Sequence, residues 1–427
     1  MNRYQVYEET GFEWLGKIPS NWKLQRVGKF FNERSEKVDD VNYPPLSVTM
    51  SGIVDQLSNV AKTDDGENRK LVKKNDFVIN SRSDRKGSSG IAPRDGSVSL
   101  INIVLKPNGL NPNFSEYLFK SYYFKEEYFR NGRGIHWDLW TTRWDQFRNI
   151  NIPIPPSEEQ KTISRYLVKK TEQIDSLIEK IQKKIDLLKE QRTSLINHIA
   201  TKGLDPNVEM KDSGVEWIGE IPKHWAIKKV AHVTQAIGSG TTPKSDNKEF
   251  YEGGTVNWLV TGDLTDGYVT KTSKYITSKA ILDHSSLKVY PVNSLLIAMY
   301  GATIGKLGIL KIETTVNQAT CVINFDKDNS VDFWFNVFLA NRNYIVSLGY
   351  GGGQPNISQD VIKGLRFPCP PSKEEQDQIA EYIKVRIGKH DKIIDQEQLR
   401  IRLLKEYRQS LISSVVTGKV RVTEDMI

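Results

Sequence analysis

The stretch GFEWLGKIPSNW at residues 11–22 decides how this sequence is divided, because it returns as GVEWIGEIPKHW at residues 214–225. Seven of the twelve positions are identical, and both tryptophans of the first copy recur in the second. Self-similarity at a fixed separation is the signature of a repeated structural unit. A second copy of one unit therefore begins near the middle of this chain of 427 residues.

Three further blocks repeat in the same order beyond the first one. They are residues 75–105 with 293–323, PIPPSEEQ (153–160) with PCPPSKEEQ (368–376), and LLKEQRTSLI (187–196) with LLKEYRQSLI (403–412). Chance does not give four matched blocks in one order. The sequence therefore predicts a tandem duplication with a repeat of roughly 210 residues.

Each copy ends in a long segment that favours an α-helix. After Ser157 no Gly or Pro occurs until Gly203, and after Ser372 only Gly388 interrupts the segment before Gly418. Leu or Ile recurs every seven residues in the first segment, which is typical of a coiled-coil-like seam. The apolar stripe of each segment must be buried, and we expect the two segments to pack against each other in an antiparallel sense. The residues expected at this contact are Leu167, Ile174, Ile181, Leu188, Leu195, Ile387, Ile394, Ile401, Leu404 and Leu411.

The parts that precede these helices predict α/β globular domains. Short strand-like runs, such as Ser97–Leu105, alternate with glycine turns and with helices predicted at Ser115–Phe129 and Phe333–Ser347. The predicted fold class is two duplicated α/β globular domains separated by long antiparallel coiled-coil-like helices, with pseudo-two-fold symmetry within one chain. The predicted segments are residues 1–156 (first globular domain), 157–203 (first helical arm), 204–371 (second globular domain) and 372–427 (second helical arm and tail).

The composition indicates a folded protein with a polyanionic partner. The net charge of +8 favours nucleic acid or an acidic membrane, and plain solubility is the alternative interpretation. The two cysteines, Cys321 and Cys369, have no metal-like spacing, so neither a disulfide framework nor a zinc site is expected. The N-terminus has no apolar run, and glycines and a lysine interrupt the most apolar stretch, Ser294–Leu310. We therefore expect no secretory signal, no membrane span and a cytoplasmic location.

Positions that differ between the copies are candidates for reading a DNA sequence. A helical arm with a domain at each end matches DNA, whose groove returns to the same face about every 34 Å. The clearest differing pairs are Arg82 with Tyr300, Arg85 with Thr303, and Lys86 with Ile304. Two domains of one fold with different loop chemistry predict an asymmetric, bipartite site. Surface drift between duplicates is the alternative.

Polar side chains in glycine-rich stretches extend the set of candidate DNA-binding residues. Arg can bind guanine bidentately, and Asn or Gln can bind adenine. A phosphate contact or plain exposed surface is the alternative for any one of them. In copy two the candidates are Thr241, Lys244, Lys306, Gln318, Gln354, Asn356 and Ser358. In copy one the stretch 132–137 is aligned with 353–358, and the candidates are Arg133, Trp137 and Arg143.

Four stretches together resemble the specificity subunit of type I restriction–modification systems. They are GVEWIGEIPKHW (214–225), AMYGATIGKLGIL (298–310), QPNIS (354–358) and FPCPPSKEEQ (367–376). The resemblance covers nearly the whole chain and includes the order of its parts. QPNIS has no counterpart in copy one by sequence.

The resemblance implies two target-recognition domains, each reading one half of a split double-stranded DNA site. It also implies two helical regions that dock two modification (methyltransferase) subunits, which restriction subunits then join in the bacterial or archaeal cytoplasm. S-adenosylmethionine, ATP and Mg²⁺ would bind to those partner subunits, and this chain itself would bind no cofactor.

Fragments that resemble catalytic motifs do not meet the requirements of those motifs. The stretch 301–306, GATIGK, resembles a phosphate-binding loop, but three residues separate its glycines where four are needed. Asn111–Phe114, NPNF, resembles the tetrad with which adenine-N6 methyltransferases hold a base, but no glycine-rich cofactor loop accompanies it. We therefore expect no catalytic or metal-binding residue. A protein-binding adaptor built on a helical strut, and a nuclease or methyltransferase acting alone, are the competing hypotheses.

Overall fold

A computed structural model describes residues 2–57, 66–134, 140–350 and 356–427 of the chain. The chain divides into two compact units: unit 1 is Met1–Gln182 with Gln398–Ile427, and unit 2 is Lys183–Glu397. Each unit therefore combines one globular segment with part of each of two long helices. The four linear segment boundaries given above stay predictions.

Unit 1 contains thirteen strands and three short helices in the described part of the chain before a long helix begins. The strands are β1 (Tyr7–Glu9), β2 (Lys17–Pro19), β3 (Lys23–Arg26), β4 (Phe31–Glu33), β5 (Lys37–Val38), β6 (Leu46–Thr49), β7 (Gly52–Asp55), β8 (Arg69–Val72), β9 (Phe77–Asn80), β10 (Ser89–Ile91), β11 (Gly96–Val98), β12 (Asn102–Pro107) and β13 (Asn151–Ile154). The helices are α1 (Pro112–Lys120), α2 (Tyr122–Arg130), α3 (Trp144–Phe147) and α4 (Ser157–Lys202), which continues into unit 2.

Unit 2 repeats much of this order. Its strands are β14 (Met210–Asp212), β15 (Glu220–Pro222), β16 (Ala226–Lys229), β17 (Thr234–Gly238), β18 (Val256–Leu259), β19 (Gly267–Val269), β20 (Lys274–Ile276), β21 (Leu295–Ala298), β22 (Leu307–Leu310), β23 (Thr315–Val316), β24 (Thr320–Phe325) and β25 (Arg366–Cys369). Its helices are α5 (Ser278–Asp283), α6 (Val331–Ala340), α7 (Arg342–Ser347), α8 (Gln359–Gly364) and α9 (Lys373–Val416), which continues into unit 1.

The central sheet of each unit is buried on both faces. In unit 1 its order is β10-β9-β12-β4, and in unit 2 it is β17-β24-β21-β22-β19. Successive side chains of a strand point to opposite faces, so Phe77 and Ile79 pack in one core while Val78 packs in another. Leu295 and Leu296 divide in the same way between two cores of unit 2. This two-sided burial explains why β9 and β21 are continuous apolar runs rather than alternating ones.

A glutamine near the start of each long helix ties that helix to its globular segment. The Gln160 side chain accepts the backbone N–H of Asn111 at 3.1 Å, and Gln376 accepts the N–H of Ser330 at 2.9 Å. Asn111 and Ser330 are the N-cap residues of α1 and α6. The glutamine that ends each repeated stretch therefore holds its long helix in an equivalent position within each unit.

The long helices α4 and α9 pack together and are antiparallel, as predicted. In unit 2 the Lys184 ammonium lies 2.7 Å from Glu397, and Arg192 lies 3.1 Å from Asp391. Later residues of α4 thus meet earlier residues of α9. Six of the ten predicted contact residues are buried: Leu167, Ile174, Ile181, Ile387, Ile394 and Leu411.

Strict seven-residue spacing fails beyond Ile181. Leu188 and Leu195 are only half-buried, as are Ile401 and Leu404 in α9, whereas Ile185, Ile196 and Ile199 are buried. An unsupercoiled α-helix has 3.6 residues per turn, so a stripe of period 3.5 drifts off the contact face. Leu404 and Leu195 nevertheless pack against the cores of units 1 and 2 as partly buried residues, and the role of all four in the helix contact stays a prediction.

Two predictions about local structure were wrong. The helices predicted at Ser115–Phe129 and Phe333–Ser347 are each two helices, because Ser121 and Asn341 interrupt them. The Ser121 hydroxyl accepts the N–H of Phe124, and such side-chain capping competes with a continuous helix. The strand predicted at Ser97–Leu105 is two strands in different sheets, β11 and β12, joined by a turn.

Within the four described ranges, no group of three or more His, Cys, Asp and Glu residues is arranged to hold a metal ion. The described helices include none with the length and apolar character needed to cross a membrane.

Candidate nucleic-acid interface

In unit 1 the turn after β9 presents two arginines. The strand ends at Asn80, and a 3-10 helix, Ser83–Arg85, follows it. The side-chain oxygen of Asn80 accepts the backbone N–H of Arg82 at 2.9 Å, which fixes the backbone where it leaves the sheet. Arg82 and Arg85 are both exposed, so their guanidinium groups are open to a ligand.

Thr141 brings two of the arginine candidates side by side. Its backbone pairs with Arg82 on one side and with Arg133 on the other. The N–H of Arg133 donates to the Thr141 carbonyl at 3.1 Å, and the N–H of Thr141 donates back at 2.9 Å. Arg143 follows two residues later, exposed and at the N-cap position of α3. Three arginines from separate stretches thus concentrate positive charge at one edge of unit 1.

A cleft of about 780 Å³ is lined by Arg82, Arg85 and Lys86 together with the β6–β7 hairpin. Lys86 is already engaged within the protein, because its ammonium lies 2.6 Å from the Glu126 carboxylate and 4.5 Å from the centre of the Phe129 ring. Lys86 would have to give up these contacts to bind a phosphate. Arg82 is therefore the strongest candidate at this cleft, and Arg85, which lies 3.8 Å from the Asp84 carboxylate but is 64% exposed, is the next.

Unit 2 repeats this backbone framework with different side chains. Asn356 pairs with Tyr300 on one side and with Tyr350 on the other. The N–H of Tyr350 donates to the Asn356 carbonyl at 3.0 Å, and the N–H of Asn356 donates back at 2.9 Å. The unit 1 counterpart of Asn356 is Thr141. Arg82 and Arg133 correspond to Tyr300 and Tyr350, respectively.

This framework corrects the alignment expected from the sequence. Residues 132–137 do not match 353–358; instead 141–143 (Thr-Thr-Arg) stand where 356–358 (Asn-Ile-Ser) stand in copy two. The register rests on two equivalent bonds, Thr142 N–H to the Ser81 carbonyl at 2.9 Å and Ile357 N–H to the Met299 carbonyl at 2.8 Å. The expected lack of a counterpart to this part of QPNIS was wrong, because backbone pairing is shared while side chains are not.

In the glycine-rich turn of unit 2, Gly240 passes so close to β23 that a Cβ there would lie 1.7 Å from the Val316 carbonyl oxygen. The Thr241 carbonyl accepts the indole N–H of Trp258 at 3.3 Å, so its backbone is fixed inside the unit. Lys244 is exposed at the end of the turn. The turn is therefore rigid at its base and open at its far end.

Gln318, at the turn between β23 and β24, links this loop to Tyr300. The Thr242 hydroxyl donates to the Gln318 side-chain oxygen at 2.5 Å. Burial raises the pKa of Tyr300, and the nearby Gln318 amide lowers it by a smaller amount. The sequence candidates Tyr300 and Gln318 thus lie together, and Thr242 joins them.

Other candidates have roles within the fold. The Ser358 hydroxyl accepts the N–H of Val361 at 3.2 Å and caps α8. The Thr303 carbonyl accepts the N–H of Lys306 at 2.9 Å, which closes the 3-10 turn after Tyr300 and leaves Lys306 exposed. Trp137 and Gln354 lie outside the described residues.

A model of the type I restriction modification DNA specificity domain matches this chain over residues 19–187 and 222–402. The chain belongs to this family. Each match covers one copy of the duplication, so the two copies correspond to two specificity domains. The resemblance inferred from the sequence is confirmed, and the chain is a DNA specificity subunit of a type I restriction–modification system.

Curated relatives match this chain over nearly its full length in one case and over about half of it in another. The type I restriction enzyme MjaVIII specificity subunit of Methanocaldococcus jannaschii is 26% identical, over 98% of this chain and 98% of the relative. The EcoR124I/EcoR124II specificity subunit of Escherichia coli is 25% identical, over 57% of this chain and 56% of the relative.

Solved structures agree with the specificity-subunit fold. The HsdS subunit from Thermoanaerobacter tengcongensis matches with a TM-score of 0.53 and 16% identity, over 94% of this chain and 98% of that chain. A chain from a structure concerned with complex assembly and conformational transition of the type I R-M system matches with a TM-score of 0.67 and 15% identity, over 94% and 99% of the two chains. At these identities the likeness supports the mixed α/β fold with long helices.

Inspection of single residues missed Thr141, Thr242 and Tyr350, which the structure brings to the candidate interface of the specificity subunit. A signal for Thr141 existed, because the offset of 215 that aligns Pro153 with Pro368 aligns Thr141 with Asn356 when it is extended backwards. Thr242 had no such signal, because its contact with Gln318 joins residues 76 positions apart.

Proposed function

We propose that this specificity subunit reads an asymmetric, bipartite double-stranded DNA site, with one half read by each unit. One observation carries the proposal: the same backbone framework presents Arg82, Arg133 and Thr141 in unit 1 but Tyr300, Tyr350 and Asn356 in unit 2. Charged donors suit guanine and phosphate, whereas amide and hydroxyl groups suit other base edges. Different side chains on one framework would select different half-sites.

The long helices would set the length of the unread spacer between the half-sites. α4 and α9 are each continuous through both units, and their buried apolar residues hold them together within each unit. A helix advances 1.5 Å per residue. The separation of the half-sites would then follow helix length.

The helices would also dock two modification subunits through grooves that repeat between the units. In unit 1 a groove of about 910 Å³ lies between α1, α4 and α9, with Arg408 3.0 Å from Asp175. In unit 2 a groove of about 580 Å³ lies between α6, α9 and α4, with Arg192 3.1 Å from Asp391. The two ion pairs are related by the duplication, since LLKEQR at residues 187–192 matches LLKEYR at 403–408.

In this assembly the chain directs chemistry that it does not perform. The modification subunits would supply adenine-N6 methylation with S-adenosylmethionine, and restriction subunits would join them with ATP and Mg²⁺. The expected setting is the bacterial or archaeal cytoplasm, and no cofactor is expected on this chain.

The test is to map the DNA that the complex selects. We expect the chain, co-expressed with its modification subunits, to protect two short segments around a constant spacer, with affinity falling steeply as salt rises. Sequencing methylated adenines in the host DNA gives the same site independently. One continuous footprint or no footprint would contradict the proposal, and salt-insensitive protein binding without DNA binding would favour the adaptor hypothesis.

Inserting seven residues into α4, with a matched insertion in α9, tests the role of the helices as a ruler. Two added helical turns extend the helix by about 10 Å, which corresponds to about 3 bp of DNA. We expect a longer spacer with both half-sites unchanged. An unchanged spacer would refute this role, and a one-to-one complex with the modification subunit would contradict two docking grooves.

A further inference from the structure

The exposed amide of Gln318 is held at its oxygen. This oxygen accepts the Thr242 hydroxyl at 2.5 Å. A donating hydroxyl selects the amide oxygen, because the amide nitrogen is itself a donor. The orientation of the amide is therefore fixed, although the side chain is exposed.

The residue that holds Gln318 is itself fixed by the fold. The loop that carries Thr242 is anchored through Ser239, whose carbonyl accepts the Tyr290 hydroxyl at 2.9 Å and whose hydroxyl accepts the Gln359 amide at 2.7 Å. A group ordered before binding loses less conformational entropy when it binds.

The bonding capacity that Gln318 retains matches one base edge. An amide oxygen has two lone pairs and an amide nitrogen has two hydrogens, and the Thr242 hydroxyl uses one of the lone pairs. An acceptor therefore remains beside the donors on the same amide. In the major groove adenine presents a donor beside an acceptor, whereas guanine presents two acceptors.

We propose that Gln318 reads an adenine in the half-site of unit 2 and that Thr242 is its positioning residue. The inference rests on the proposed function, because it requires that unit 2 meets DNA through the face that holds Asn356. Without Thr242 the amide could rotate and present its oxygen and nitrogen in exchanged positions, which would weaken the distinction between adenine and guanine.

Unit 1 provides an internal control. The offset that aligns β12 with β24 places Leu100 at the position of Gln318, and Arg82 at the position of Tyr300. Leu100 is exposed but has no hydrogen-bonding group in its side chain. Substitutions at Gln318 and Thr242 should therefore change the unit 2 half-site and leave the unit 1 half-site unchanged.

The experiment measures binding of the full chain, in complex with its modification subunits, to duplexes that carry each of the four base pairs at each position of the selected site. Gln318→Ala is expected to lower discrimination by about 10-fold or more at a single A·T pair of one half-site. Gln318→Glu is expected to move the preference at that position toward cytosine, whose amino group a carboxylate can accept.

Thr242→Val removes the hydroxyl and keeps the shape of the side chain. It is expected to lower adenine-over-guanine discrimination several-fold at the same position, whereas Thr242→Ser, which keeps a hydroxyl, is expected to retain it. A purely structural role of Thr242 would lower affinity for all duplexes alike and would leave this ratio unchanged.

Uniform weakening of all duplexes by Gln318→Ala would identify a phosphate contact and overturn the inference. The inference would also be overturned if every Gln318 variant selected the same unit 2 half-site as the unsubstituted chain. If the unsubstituted chain selects no bipartite site, the proposed function fails before Gln318 is tested, so the two failures are distinct.

Discussion

Units 1 and 2 share their backbone constraints and differ in the side chains that those constraints present. Asn75 and Asn293 both have positive φ, 71° and 61°, and Gly87 and Gly305 follow with 83° and 76°. Such left-handed conformations favour Gly and Asn, so both copies keep these residues. Between these fixed points, Arg82 of unit 1 occupies the position equivalent to that of Tyr300 in unit 2. The comparison teaches that the duplication conserves the conformation of the loops and leaves their chemistry free to differ.

The two globular segments also differ in charge. Residues 1–156 contain 23 Lys and Arg against 19 Asp and Glu, whereas residues 204–371 contain 16 of each. Contacts to phosphate release counterions and depend on positive charge. We therefore expect unit 1 to contribute more to affinity and its salt dependence, and unit 2 to act more through hydrogen bonds to bases.

The largest expected effect is on thiol reactivity. Both cysteines lie in unit 2, so thiol labelling reports on that unit alone. Burial raises the pKa of Cys321 and of Cys369 from 9.0 to about 12. The thiolate is the reactive form, so we expect labelling at pH 8 to be about 1000-fold slower in the folded chain than in the unfolded chain. Labelling of either cysteine at the unfolded rate without denaturant would contradict this burial.

The same shift gives a pH dependence of unit 2. A thiol with a raised folded pKa contributes stability that is fully present below its unfolded pKa, near 9, and is lost as pH rises through about 12. We expect unit 2 to unfold in less denaturant as pH is raised above 9, with thiol labelling as the measurement.

The next largest effect is expected when the glycine-rich turn of unit 2 is disrupted and unit 1 is left unchanged. Gly240→Ala would place a Cβ against the Val316 carbonyl, and a backbone atom cannot move aside as the end of a side chain can. We expect loss of selection for the unit 2 half-site, with the unit 1 half-site retained in the sequences that the complex methylates.

Gly262→Ala is the matched control, because a Cβ at Gly262 meets no atom within 4 Å. It is expected to leave both half-sites unchanged. Protected thiols in the Gly240→Ala variant would show that unit 2 remains folded. Normal selection of both half-sites by that variant would show that the loop does not take part in recognition.

The third effect tests the arginines of unit 1. Arg82→Ala is expected to weaken discrimination at one base pair of the unit 1 half-site by about 1–3 kcal/mol. Arg85→Ala is expected to weaken binding to all sequences and to lower the salt slope by about one. Affinity measured at several salt concentrations on single-base variants separates the two roles. A change in the unit 2 half-site with either variant would contradict the division of labour between the units.

The sequence predicted the repeated framework well because its signals are local. Glycine positions, apolar runs and the helical stripes occur within short windows, and the structure confirms the α/β segments and the paired helices. The interface was predicted less well because it depends on contacts between distant residues. Thr141 reaches Arg82 across 59 positions, and Thr242 reaches Gln318 across 76. Leu188 and Leu195 are only half-buried because helical drift accumulates along a helix of 46 residues.

The smallest expected effect concerns the helix pair. There a carboxylate in unit 2 occupies the position that an apolar residue occupies in unit 1. The offset of 216 along the helices aligns Glu397 with Ile181, and both side chains are buried, with 8% and 4% exposed. Lys184 lies 2.7 Å from Glu397 but is itself 56% exposed. Moving a carboxylate out of water costs more free energy than its attraction to a half-solvated ammonium recovers. Glu397→Ile, which copies unit 1 into unit 2, is therefore expected to raise the free energy of unfolding of unit 2 by about 1 kcal/mol.

Urea unfolding followed by thiol labelling measures this change in unit 2. Lys184→Met is the matched control and should lower the free energy of unfolding, because the carboxylate then stays buried without that ammonium. If Glu397→Ile instead lowers the stability of unit 2, the ion pair stabilises the fold by more than its desolvation costs. The helix pair would then be held by charge in unit 2 where unit 1 uses apolar packing, and the difference between the units would extend from the recognition loops into the helices that join them.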